Sequence, residues 1–161
     1  MTEKRAGLSL DDLDLVKAGA NAHEFEYVNE QGELTGIWFS VYGGESEIVQ
    51  KETARLQNER RRKEKAREIN ARIGTGKNKT DDFDTYESDV EYGKRVATIR
   101  LAGWREAGND EGLTAEEKER FCGIAAPFTP ENALRLCKNN QHIALQIAQQ
   151  SEESTNFMKS K

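Results

Sequence analysis

The sequence predicts an α+β protein, mainly helical, with an N-terminal β-hairpin region, a long charged helix and a C-terminal helical region. Three observations predict it. Residues 23–28 and 34–42 alternate or carry β-branched and aromatic side chains about a glycine-bearing connection. Residues 46–73 keep helical spacing through a highly charged stretch, and from Tyr86 onward apolar or small residues recur at steps of three and four. The regions run over 1–45, 46–80 (the long helix with a hinge) and 81–161.

Taken in order, Leu10, Leu13 and Lys17 fall at helical spacing behind an Asp-rich start, which predicts one short helix ended by Gly19. His23 to Val28 then alternates, with Phe25 and Tyr27 on one face. Asn29-Glu30-Gln31-Gly32-Glu33 separates this run from Leu34 to Tyr42, so the pair reads as a hairpin with Gly32 at positive φ. Ile37, Phe39 and Val41 lie on one side of the second strand and Trp38 and Tyr42 on the other. Both sides therefore need cover, and a lone hairpin does not suffice.

Gly43-Gly44-Glu45-Ser46 stops the strand, and Ser46 offers a cap for the next helix. Val49, Thr53 and Leu56, then Ala66, Ile69 and Ile73, keep a helical stripe, whereas Gln57 to Lys65 contains no apolar residue. That middle stretch is expected to be solvated, supported by pairs such as Glu59 with Lys63 and Glu68 with Arg72, each contributing about 0.2–0.5 kcal/mol. Gly74 to Thr80 reads as a hinge, and the acidic segment Asp81 to Asp89 leads into the next helix. Tyr86, Val90, Gly93, Ala97, Leu101 and Trp104 predict one face of a core helix. Thr114-Ala115-Glu116-Glu117 is a capping-box pattern, Thr129-Pro130 opens another helix, and Asn140 is the expected cap of the last, which carries Ile143 and Ile147.

Composition narrows the function classes. In 161 residues, 33% are charged and 35% apolar, below the roughly 45–50% (glycine included) of typical globular domains, so the core is expected to be modest. Twenty-nine acidic against 24 basic residues give a net charge of −5, which disfavours a general nucleic-acid coat. Without an apolar signal segment or a zinc-like spacing, Cys122 and Cys137 read as reduced cytosolic thiols. No apolar run approaches the about 20 residues that cross a bilayer.

Few residues suggest chemistry. Gly74-Thr75-Gly76-Lys77 lacks the earlier glycine and the Ser/Thr after lysine of a phosphate loop, and reads as a linker. Cys137 and His142, five residues apart, suggest a thiol–imidazole pair, but no third orienting group accompanies them. His23 reads as a strand-edge residue. The sharpest electrostatic feature is Arg60, Arg61, Arg62 and Lys63, continued by Lys65, Arg67 and Arg72. It suits a solvated face, an acidic partner, or the acidic segment 81–89 of this or a neighbouring chain; interleaved glutamates and the lack of aromatics disfavour nucleic acid.

Leu10-Asp11-Asp12-Leu13, the aromatic hairpin, and Val41-Tyr42-Gly43-Gly44-Glu45-Ser46 leading into a charged helix resemble the front half of small tail-region proteins of long-tailed bacteriophages. Ala102-Gly103-Trp104, a glycine-bearing loop, Phe128-Thr129-Pro130-Glu131-Asn132-Ala133, a helix pair and Asn156-Phe157 resemble phage tail assembly chaperones, from whose pattern Thr114 to Ala126 departs as an insertion. The resemblance implies a non-enzymatic viral protein of the host bacterial cytoplasm, without cofactor or metal. It would bind the tape-measure protein, with the major tail protein as a further partner and a homo-oligomer as a further state. Partner contacts are expected around Leu134, Leu136, Ile143 and Ile147, positions that equally suit an ordinary core, and along Arg60 to Lys63. The competing readings are a structural virion component, such as a tail completion or connector protein, and a nucleic-acid-binding regulator using the basic helix.

Overall fold

The computed structural model of the chain describes residues 7, 9–73 and 82–158, with backbone alone for 82–88. It is a mainly helical α+β fold built on a three-stranded antiparallel sheet. The N-terminal helical segment forms in two pieces, a 3-10 turn at Asp11–Leu13 and helix α1 (Leu15–Ala18). Asp14 divides them, because its side chain accepts from the N–H groups of Val16 and Lys17 and so caps the second piece. The Gly19 N–H closes α1 on the Leu15 carbonyl at 2.9 Å.

Strands β1 (His23–Val28) and β2 (Leu34–Val41) form the expected hairpin. Asn29 Oδ1 accepts from the N–H groups of Gln31 and Glu33, and Gly32 takes φ +83°, where a side chain would be strained. Helix α2 (Glu47–Ile73) follows, started by Ser46, whose Oγ accepts from Val49 N–H at 3.4 Å. Helix α3 spans Asp82–Arg100. The residues joining α2 to α3, including the proposed hinge Gly74 to Thr80, lie outside the described residues, as does the side chain of Tyr86.

The expected helical stripe through Trp104 is not one element. Helix α3 stops at Arg100, and Leu101–Trp104 is strand β3, paired antiparallel with β2 through Phe39–Trp104 and Val41–Leu101. Gly93, expected on the inward face, is exposed. A helical period of three and four is compatible with Leu101 and Trp104, but the open edge of β2 offers a ladder of hydrogen bonds, and Gly103 weakens a helix there. The sheet order β1-β2-β3 makes β2 the central strand.

Three further α-helices follow, α4 (Ala115–Arg120), α5 (Pro130–Asn139) and α6 (Gln141–Glu152), and then a 3-10 turn at Ser154–Asn156. The capping box forms at Thr114 and Glu117, and Thr129 caps α5 through Asn132 N–H with Pro130 in the first turn. Asn140 stands at the start of α6, but its amide donates back to the Leu136 carbonyl at 2.9 Å rather than capping.

Helices α3, α5 and α6 cover one face of the sheet. Phe25, Phe39 and Val41 meet Ala97, Leu101, Ala133, Cys137, Ile143, Ala144, Ile147 and Phe157 in a single core. The hairpin region and the C-terminal helical region thus share their buried surface. Phe157 reaches back against Gly43, itself so close to Gly19 that an added Cβ would stand 2.7 Å from the Gly19 Cα.

The other face is closed by charge. Arg120, at the end of α4, grips Glu26 of β1 with two bonds of 2.7 Å, and the Glu26 side chain is only 6% exposed. Arg105 binds Glu24 at 2.6 and 2.8 Å and lies over the Trp38 ring. The chain can approach because residue 36 is glycine: a Cβ there would come 1.8 Å from the Arg120 carbonyl oxygen, and Gly36 takes φ +74°. No helix among the described residues is long and apolar enough to cross a membrane.

Candidate partner-binding surface

Among the described residues, helix α2 is buried against the body in its first half only. Val49 is buried, Thr53, Leu56 and Arg60 are half-buried, and every residue from Arg61 to Ile73 is exposed. Where this half passes α3 and α5 it leaves a groove of about 480 Å³. Leu56, Ile99, Leu101, Phe128, Ala133 and Leu134 form its apolar floor and walls. Phe128 keeps 37% of its surface exposed and stands edge-on to Trp104 at 5.0 Å, and Trp104 in turn donates from Nε1 to the Ala126 carbonyl. A rigid aromatic thus lines a surface still open to solvent.

Charged side chains rim the groove. Arg55 pairs with Glu52 at 2.9 Å, Lys63 with Glu59 at 3.1 Å, and Arg95 with Glu91 at 3.3 Å. The hydrogen bond from Lys63, followed by its charge, holds the Glu59 carboxyl below its usual range. Among the described residues, Arg95 Nε and Thr53 Oγ1 are buried without a hydrogen-bond partner. An apolar trough with a charged rim can take the apolar stripe of an amphipathic helix while leaving that helix's polar flank in water.

The predicted contact residues divide. Leu134 lines the groove, and Leu136 is half-buried against the core. Ile143 and Ile147 are core residues, 9% and 0% exposed, and cannot meet a partner in this fold. Their helical spacing is the same for a core stripe as for a docking stripe, and the sheet claims it. Ile99 and Phe128 line the groove without being among the expected contacts; Phe128 enters the sequence only as the start of the Phe128-Thr129-Pro130-Glu131-Asn132-Ala133 motif.

The basic cluster divides too. Arg60 turns inward, paired with Asp89 of α3 and Glu64, with its guanidinium 4.9 Å from the Tyr92 ring centroid. The pairing of the basic stretch with the acidic segment of the same chain is therefore realised at Arg60. Arg61 and Arg62 are exposed, and Lys63 pairs along its own helix.

Cys137 and His142 do not form a pair. Burial pushes the Cys137 thiol up, offset in part by its bond with Thr98, whereas His142 Nδ1 meets the Tyr27 hydroxyl at 2.8 Å. His23 is half-buried, edge-on to Phe157. No group of three or more His, Cys, Asp or Glu among the described residues is arranged to hold a metal ion. No family model, no curated protein and no solved structure matches the chain.

Proposed function

We propose that this protein is a non-enzymatic phage tail assembly chaperone that binds the tape-measure protein in the host bacterial cytoplasm. The observation that carries the reading is the groove between α2, α3 and α5, apolar in its floor and charged at its rim. A tape-measure chain presents apolar helical stripes until the tail tube encloses it. A groove with this apolar lining would shield such a stripe, and the charged surface around it would keep the complex in solution. Phe128 and Leu134 are the anchors, because they line the groove without being sealed in the core.

Co-expression with the tape-measure protein encoded in the same genome tests this. The protein should raise the soluble fraction of that partner, and the Phe128→Asp/Leu134→Asp pair should remove the gain while the chaperone itself stays soluble. An unchanged soluble fraction with the parent protein refutes the reading. Presence of the protein at fixed copy number in purified particles would favour a structural virion component instead.

A further inference from the structure

The exposed half of α2 is two-sided, and its sides differ in kind. A helix advances about 100° per residue, so Val49, Thr53 and Leu56 lie within about 40° of Arg60 around the axis, and together they mark the side that faces the body. Counted from Arg60, Ala66, Ile69 and Ile73 fall about 180–240° away, on the opposite side. Arg61, Arg62, Lys65 and Arg72 share that outward half at about 100–200°. Both acids of the stretch, Glu64 and Glu68, fall on the inward half at about 40–80°. The outward half therefore holds apolar and cationic residues and no anion. Ile69 is 55% and Ile73 80% exposed, and neither belongs to the core cluster.

We propose that this outward face docks an acidic amphipathic α-helix of another protein. The steps of three and four from Ala66 to Ile69 to Ile73 match the seam of a two-helix contact, where charges flanking the seam select the partner. Here Lys65 and Arg72 flank the seam on one side, Lys63 and the neutral Asn70 on the other, and no flanking position is acidic, so the complementary helix carries carboxylates beside its apolar stripe. An anionic membrane fits less well, because the stripe has three apolar residues and none of the aromatic side chains that hold an interfacial helix. Nucleic acid fits less well, because Ile69 interrupts the cationic face between Lys65 and Arg62 and Ile73 borders it, where phosphates would lie. The surface uses none of the groove residues, so this docking and the chaperone reading stand or fall separately.

Fluorescence anisotropy of the full chain with a labelled synthetic helix of three heptads, leucine at the seam and glutamate at the flanks, tests the proposal. The acidic helix should bind at low ionic strength, with affinity falling as salt rises. The Ile69→Ser/Ile73→Ser pair and the Arg62→Glu/Lys65→Glu pair should each weaken binding about tenfold or more. Both pairs change exposed positions, so their thermal unfolding should match the parent, and either pair alone keeps the test valid if the other fails to fold. The proposal is overturned if the acidic helix does not bind, if a lysine-flanked version binds equally, or if the isoleucine variant keeps full affinity. Binding to phosphatidylglycerol vesicles without binding to the helix would assign the face to a membrane. Self-association that depends on the same isoleucines and is not competed by the helix would assign it to a second copy of the chain; both outcomes overturn the proposal.

Discussion

Helices α3, α5 and α6 close one face of the sheet with aliphatic and aromatic side chains, whereas the opposite face is held by Arg120 on Glu26 and Arg105 on Glu24. The apolar face gains from every atom removed from water and is indifferent to direction. The ionic face gains only where geometry is right, and must first offset the cost of taking charges out of water. A chain with little apolar content can thus build one real core and fasten the remaining surface with a few oriented pairs. The difference has a local cause: glycine at position 36 lets the α4 segment reach the strand, and Gly36 N–H itself donates to Glu26.

The largest effect should come from the apolar face. Ile147 is fully buried at the centre of the core, and Ile147→Ala should lower stability by about 2–5 kcal/mol, the sum of lost transfer energy and the cavity left behind. A urea titration reads this as a lower midpoint at unchanged slope. A loss below about 1 kcal/mol would break the comparison, since it would mean that this face is not where the stability lies.

On the ionic face, Glu26→Gln keeps the shape but leaves Arg120 without its anion and the Gly36 N–H with a weaker acceptor. The same titration should show a loss of about 2 kcal/mol, between the values for exposed and fully buried pairs. Since the Glu26 side chain is nearly buried, added salt should recover little of that difference. A loss equal to that of Ile147→Ala would erase the distinction between the faces.

The smallest effect concerns His23, at the start of β1. Burial lowers its pKa below the usual 6.5, with Glu24 opposing in part. The unfolded chain therefore takes up the proton first as pH falls, so the stability tied to neutral His23 is present above about 6.5 and is lost as pH drops toward the lower folded value. The thermal midpoint of the parent should fall more than that of His23→Gln between about pH 7 and pH 5.5. Equal slopes would show that burial of this ring does not contribute.

Local chemistry in the sequence was enough for much of the fold. Gly32 between two alternating runs, Ser46 after a double glycine, Thr114 with Glu117, and Thr129 before Pro130 each specify an element boundary through bonds made within a few residues. The charged middle of α2 was likewise readable as solvated from Arg61 on, because a run without apolar residues has little to bury, whereas Glu59 and Arg60 are half-buried. The candidate groove was only half legible: Leu134 carried a signal, whereas Ile99 and Phe128 acquire their meaning from α2 passing over them.

Tertiary structure decided the rest. Leu101 to Trp104 continues a helical period in sequence but becomes a strand, because β2 had an unpaired edge whose hydrogen bonds outweigh a weak local preference. Ile143 and Ile147 belong to the core and not to a docking stripe, since periodicity gives the direction in which a face points but not what stands opposite it. Arg60 is turned inward while Arg61 and Arg62 remain outside, a division made by Asp89 and Tyr92 from across the helical hairpin. In each case the sequence by itself determined the local period and the caps, which depend on neighbours along the chain, and the packing partner, which depends on residues far along it, was determined only when the chain closed.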